Sequence, residues 1–463
     1  MLLTKIFERA RHVIAVLSCF IVFCYVSLLA NQVHSAPVNQ AEQLIILTSF
    51  PEPVSEKLAS IFKQQHPNIR VRFLYKKTPA AITHLQLKMW PKPNLIMASA
   101  VDAMDWLSRA NLLQPYQVND RLNYTPFGYS GYGFMWNKTY FQQQQLAEPL
   151  NWQQLLQPKY QGHIAMSSPM RSGTTHVIVE MILQEMGWRE GWAYLQQLGG
   201  NLATVTARSA GVSQGIIRQR FGMGLVIDYF AFTKQFSNPD IGFNYSSPTT
   251  FLPMSIGIVK ESEASINAKK FVSSLLSEQG QEVLLTPVVS RYPINQALLT
   301  QQPEHMLAKH RAEQKYTINY DHTLAVRRYH LVNALFEHLI TYRLPFLQQA
   351  WAKIYVLQQL LAQSSLQLSD QLNEQPSSKL NLQLSERLTK VISELKSVPF
   401  SELQLTNTKL LNKFTKPTPG SALSIQQIVL QKNWQLWSNQ LKDRTMRELL
   451  KIEAAIKSPQ QHR

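Results

Sequence analysis

Gly128-Tyr129-Ser130-Gly131-Tyr132-Gly133-Phe134-Met135-Trp136 decides how this 463-residue chain is organised. It is a glycine-punctuated, extended run in a stretch that otherwise alternates strand and helix. That texture suits a strand leaving one lobe for another. Before it, Leu44-Ile45-Ile46-Leu47-Thr48-Ser49 is a short apolar run, the signature of a buried strand. From Glu52 to Gln65, Val54, Leu58, Ile61 and Phe62 keep the spacing of one helix face. Ile69 to Leu74 alternates like a strand, Leu95 to Ala98 is a second buried strand, and a helix is expected from about Ala100 to Arg109. Strand, helix, strand, helix, strand is the order of a parallel α/β sheet with right-handed crossovers.

After the run, the pattern resumes. Ile164-Ala165-Met166 reads as a strand, Thr174 to Met186 as a helix, Gly191 to Leu198 as its successor, and Leu225-Val226-Ile227 as a strand. Met254 to Val259 is expected to be a second crossing strand, followed by a helix over 264–285. Two crossings imply two α/β lobes, residues 37–133 with 255–303 and residues 134–254, with a ligand cleft between them. From about residue 304 strand signals stop, and Gln and Leu become frequent. Leu331 to Leu361, Ser385 to Leu395 and Ile425 to Ile456 have helical periodicity, with a break or kink expected at Pro345. Gln371–Lys379 and Lys416–Ala422 are polar connections, and no heptad is sustained long enough for a coiled coil. The expectation is a helical domain over 304–463, with Leu335, Leu339, Leu347, Trp351 and Ile354 offering an apolar stripe toward the lobes.

The N-terminus speaks to compartment. Lys5, Arg9 and Arg11 precede an apolar run from Val13 to Ala30, and small residues follow. That is an export signal over residues 1–36, with cleavage expected after Ser35 or Ala36 and an uncleaved anchor as the alternative. Both cysteines, Cys19 and Cys24, lie inside it. The exported chain would then hold no thiol, which excludes cysteine catalysis, disulfides and cysteine metal sites. The net charge is +17, with +9 of it in residues 304–463, yet no Lys/Arg run or basic helix with interleaved aromatics gathers it. A nucleic-acid partner is therefore not expected, whereas the field favours anionic ligands.

The richest chemistry lies in Met166-Ser167-Ser168-Pro169-Met170-Arg171-Ser172-Gly173-Thr174-Thr175-His176. A buried strand ends in a hydroxyl-rich loop that opens a helix. Ser172 is an N-cap residue, and the N–H groups of Gly173, Thr174 and Thr175 stand at a helix start, where anions bind. Ser168 and the Arg171 fork complete an anion-binding set, against the plainer reading of a capped helix. Arg208 and Ser209 sit at a second strand–helix junction, and Asp228 ends a strand, where it could accept ligand hydroxyls or merely cap the next helix. Ser49 and Ser99 are strand-end hydroxyls of the first lobe. Enzyme signals are poor. Gly-x-Ser-x-Gly, His-Glu-x-x-His and Gly-x4-Gly-Lys-Ser/Thr do not occur, no carboxylate pair stands out, and no cofactor or metal site is read.

Several stretches together resemble periplasmic solute-binding proteins of the group with ferric-iron and sugar-phosphate binders, and more closely the branch of phosphoglycerate transport regulators. They are Met166-Ser167-Ser168-Pro169 with Arg171-Ser172, Gly187-Trp188 with Gly191-Trp192, Gly200-Asn201-Leu202, Arg208-Ser209 with Gly211-Val212, Val226-Ile227-Asp228, Tyr292-Pro293, Tyr342-Arg343-Leu344 and Trp434-Gln435-Leu436-Trp437. The resemblance implies a two-lobed type II binding-protein fold with an appended helical C-terminal domain. It implies no enzyme, but a small anionic ligand such as a phosphoglycerate and a membrane histidine kinase as partner. The alternative partner is an ABC permease. Where iron-binding relatives carry adjacent tyrosines, this chain has Tyr229-Phe230, and its extra length is expected around 363–385 and 401–424.

Overall fold

The computed structural model describes residues 42–117, 122–245, 248–262, 265–313, 317–369, 376–399, 411, 414 and 425–457. The expected export signal, both cysteines and the connection Lys416–Ala422 lie outside these residues.

The chain opens with β1 (Glu42–Thr48), α1 (Glu52–Leu58), α2 (Ser60–Gln65), β2 (Ile69–Tyr75), α3 (Thr78–Gln86), β3 (Leu95–Ala98) and α4 (Val101–Arg109). β1 lies between β2 and β3, parallel to both, with Leu44 opposite Val71 and Ile46 opposite Leu95. That central place accounts for its unbroken apolar run, whereas β2 at the edge alternates.

β5 (Thr125–Asn137), after the short β4 (Leu113–Gln114), is the strand that serves both sheets. Its first half pairs with β10, from Gly131 opposite Phe251 to Thr125 opposite Ile256. Its second half pairs with β8, from Tyr132 opposite Ile227, and with β9, from Gly133 opposite Tyr245. A Cβ on Gly133 would stand 2.1 Å from the Asn244 carbonyl oxygen, so only glycine admits this pairing. The second sheet is built from β6 (Ile164–Ser167), α5 (Gly173–Met186), α6 (Trp188–Asn201), β7 (Leu202–Thr206), α7 (Ser209–Ile217), β8 (Met223–Ile227), α8 (Tyr229–Gln235) and β9 (Ile241–Tyr245). β6 is parallel to β7 and β8.

β10 (Phe251–Val259) lies wholly in the first sheet, antiparallel to β3 and β5. The expected second crossing strand is therefore not Met254–Val259 itself. The chain changes sheet in the connection just before Phe251. The helix expected over 264–285 is two, α9 (Ser265–Leu276) and α10 (Glu278–Leu285), divided at Ser277, whose hydroxyl caps Gly280 N at 3.1 Å. β11 (Tyr292–Pro293) then returns to pair with Tyr129 and Gly128.

The described residues that follow are mainly helical: α11 (Met306–Glu313), α12 (His322–Phe336), α13 (Leu344–Ser369), α14 (Pro376–Leu395) and α15 (Ile425–Lys457). The break expected at Pro345 comes earlier. α12 loosens into a π turn at Glu337–Thr341, and α13 starts afresh at Leu344, with Pro345 in its first turn, where no N–H is required.

These helices do not stand apart as an appendage. α13 lies along α6, and the expected stripe Leu335, Leu339, Leu347, Trp351 and Ile354 is wholly buried in one core with Trp192, Leu195 and Leu198. Gly200 makes this possible, since a Cβ there would fall 2.4 Å from Trp351 Cβ. α14 and α15 add Leu384, Leu388, Trp434, Leu449 and Ile452 to the same core. α12 meets both α4, of the first lobe, and α5, of the second. There Arg328 grips Glu180 side-on, Nε at 3.0 Å from both carboxylate oxygens and Nη2 at 2.7 Å, with the two residues only 4% and 0% exposed. Beside them, Asp102 of α4 faces His176 of α5 at 3.7 Å and His322 of α12 at 3.8 Å, and accepts from Tyr320 at 3.3 Å. Among the described residues no helix is long and apolar enough to cross a membrane.

Candidate ligand cleft

Strand ends of open α/β sheets are where ligands bind, because helix starts and loops converge there without side chains of the sheet filling the space. In this chain the ends of β1 and β3 meet those of β6 and β8. A Cβ on Gly173, at the start of α5, would stand 3.2 Å from the Cβ of Ala100, just after β3. The two sheets' ends are thus in contact.

The predicted residues fall into three groups. Ser168, Ser172 and Thr175 are buried and engaged within the protein. Ser172 Oγ accepts from Thr175 N at 3.2 Å and from its hydroxyl at 3.1 Å, the expected N-cap. Thr175 also bonds to Ser167, and Ser168 Oγ donates to the carboxylate of Glu337, which the π turn after α12 delivers. Gly173 and Thr174 are half-buried at the helix start, and Ser99 is half-buried across from them. Ser49, Arg171 and Arg208 are exposed. Burial pushes the pKa of the Tyr342 hydroxyl up; Glu337 adds to that shift and Arg171 opposes it. Arg208 precedes α7 without capping it by its side chain, and Ser209 opens that helix half-buried.

Asp228 is fully buried at the end of β8. It accepts from Gly131 N at 2.6 Å, Tyr245 Oη at 2.9 Å and Tyr229 N at 2.7 Å. Of its two expected roles the structure shows the helix cap, with the carboxylate also tying β8 to the crossing strand. Burial pushes its pKa up to about 6, against the pull of those donors and of Arg291. The folded chain therefore holds this proton to a higher pH than the unfolded chain. The stability it contributes is complete below about pH 4 and is lost as pH rises through 6. Urea unfolding from pH 4 to pH 7 is expected to show the native chain losing roughly 2–3 kcal/mol more than Asp228→Asn, and parallel profiles would refute it.

Sequence reasoning missed the residue at the centre. Arg291 is 0% exposed. Its guanidinium lies 3.8 Å from the ring centre of Tyr229, after β8, and 4.9 Å from that of Phe50, after β1. Its Nη1 donates to Ser130 Oγ on the crossing strand at 3.1 Å. Arg291 thus touches both sheets and the strand that joins them. Ser290 before it has φ 49°, a left-handed backbone that costs a non-glycine residue of order 1 kcal/mol. The signal available was a lone charge within Val288-Val289-Ser290-Arg291-Tyr292-Pro293. A cavity of about 420 Å³ also opens near the crossing, between Tyr129, Phe251, Tyr292 and Arg311, but the strand-end residues named above do not line it. Among the described residues no group of His, Cys, Asp or Glu is placed to hold a metal ion.

Solved structures share this architecture. The periplasmic binding protein AfuA of Actinobacillus pleuropneumoniae, with fructose-6-phosphate bound, superposes with a TM-score of 0.54 at 18% identity, over 64% of this chain and 98% of its own. The apo ferric ion-binding protein A of Pasteurella haemolytica gives 0.54 at 12%, over 64% and 97%. The fold is that of a periplasmic binding protein. Residues 95–309 match the bacterial extracellular solute-binding protein family. The phosphoglycerate transport regulatory protein PgtC of Salmonella typhimurium is 34% identical over 226 residues. That alignment spans 49% of this chain and 56% of the relative, and the Salmonella typhi protein of that name matches equally. The binding-protein fold gives the contact between the strand ends its meaning, since ligands of such folds lie between the lobes.

Proposed function

We propose that this chain is an exported binding and sensing protein for a small phosphorylated metabolite, of the phosphoglycerate kind, held between the lobes. Export by residues 1–36 would place it in the periplasm. The observation that carries the reading is the meeting of both sheets' strand ends around a buried cation, Arg291, with the start of α5 opposite Ala100. A helix start and a desolvated guanidinium are the two devices by which proteins hold phosphate and carboxylate. The name of the Salmonella relative supports the ligand class and the regulatory role. In this reading the helical region, which contacts both lobes through α12, would report closure to a membrane sensor kinase. Closure can shift only by the ligand's preference for the closed form.

The exported chain should be stabilised by about 2.7 kcal/mol when a phosphoglycerate, phosphoenolpyruvate or a hexose phosphate is present at a hundred times its dissociation constant. Thermal-shift and calorimetric titration of that panel test this, and no response to any member would overturn the reading. In the cell, deleting the gene should abolish induction of the transporter by external ligand and spare uptake through a transporter expressed constitutively. Lost uptake would point instead to an ABC importer subunit.

A further inference from the structure

Arg291 leaves one whole edge unused. Nη1 is bonded to Ser130, but Nε and Nη2, the two donors that lie side by side on the other edge, have no partner in good hydrogen-bond geometry, although the Tyr229 side chain also acts on the guanidinium. A buried donor left without an acceptor destabilises the fold unless something else supplies the acceptor. Asp228, the nearby carboxylate, acts on the guanidinium through its charge but makes no hydrogen bond to it; its oxygens accept from Gly131, Tyr229 and Tyr245. What this edge fits is shown elsewhere in the same molecule. Nε and Nη2 of Arg328 hold the planar carboxylate of Glu180 side-on. Arg343 also leaves Nε and Nη2 open, but it lies among the C-terminal helices, bonded to Gln196. Among the described residues, Arg291 is the arginine with this open edge that touches both sheets and the crossing strand.

We infer that the Nε–Nη2 edge of Arg291 receives a carboxylate of the ligand, so that the site selects molecules carrying both a carboxylate and a phosphate. The inference rests on the proposed interlobe binding of a phosphorylated metabolite and specifies its second anionic group. A planar carboxylate matches the two parallel N–H groups, whereas a ligand alcohol can engage only one of them. Stacking on Tyr229 and Phe50 fixes the plane of the guanidinium, and hence the orientation of the group it accepts. The start of α5 is left for the phosphate.

The test compares 3-phosphoglycerate with glycerol 3-phosphate, which has an alcohol where the first has its carboxylate. Calorimetry on the exported chain should show 3-phosphoglycerate binding at least thirtyfold tighter. Arg291→Lys keeps the charge and removes the fork. It should weaken 3-phosphoglycerate ten- to a hundredfold and change glycerol 3-phosphate less than threefold. Equal affinity of the native chain for the two probes would overturn the inference while leaving the binding reading intact. So would an equal loss for both in the variant. Binding of neither probe would overturn the binding reading itself and the inference with it. The comparison on the native chain needs no variant, so it remains decisive even if Arg291→Lys fails to fold.

Discussion

A chain ending after Pro303 is expected not to fold. Its lobes contain every strand of both sheets, yet the core of the second lobe would be left open. Leu331, Leu335, Leu339, Ile340, Leu347, Trp351 and Ile354 are buried in one cluster with Trp192, Leu195 and Leu198 of α6. Each large apolar side chain taken out of water contributes about 1.5–3 kcal/mol. Seven of them make a gross contribution of the same order as the whole stability of an ordinary protein, about 5–15 kcal/mol. Glu180 would also be stranded without Arg328. Expression of residues 37–303 should therefore give insoluble protein, or soluble protein with no cooperative urea transition. A sharp transition in the truncated chain would show that the helices are separable after all. Loss of induction in such a truncation would not assign a signalling role to the helices, because the lobes themselves would be lost with them.

Arg328→Met should destabilise the full chain by about 3–5 kcal/mol, the range for breaking one side of a buried ion pair. The methionine fills much of the volume beside Trp188 but leaves the Glu180 carboxylate buried, with Gln184 as its remaining partner at 3.4 Å. Adding Glu180→Met should recover most of the loss, because two apolar groups in place of the pair remove the stranded charge. Urea unfolding of the native chain, both single variants and the double variant gives the coupling directly. If Arg328→Met cost less than about 1 kcal/mol, the pair would not be holding α12 against α5.

The local devices were legible in the sequence. Gly128–Trp136 announced the crossing strand through its glycines, and Ser172 before Gly173-Thr174-Thr175 announced a capped helix on a buried strand. Periodicity reports which face of an element is apolar, and so it placed the helical stripe from Leu335 to Ile354. It does not report which surface that stripe covers, so packing on the lobes was expected but the shared core with α6 of the second lobe was not. The surroundings of a charge are equally hidden from local sequence. Arg171 stood beside an inviting helix start, but Glu337, which engages that loop, comes 166 residues later. Arg291 gathers Phe50, Ser130 and Tyr229 from three distant stretches, and no spacing rule connects them. Pro345 misled slightly, because a proline in a first turn tolerates a helix start, while the π turn before it carries no composition signal.

The shared core also sets a timetable. Tyr245 ends β9, the last strand of the second lobe, but that lobe's apolar surface is not covered until α13 and α15 exist, the latter ending at Lys457. At the ordinary pace of about 5–20 residues per second, the ribosome needs on the order of 10–40 seconds to make that stretch. Until those helices are made, Trp192, Leu195 and Leu198 have neighbours in their own lobe, such as Trp188, but lack their C-terminal partners. The middle of the chain is made early and matures last.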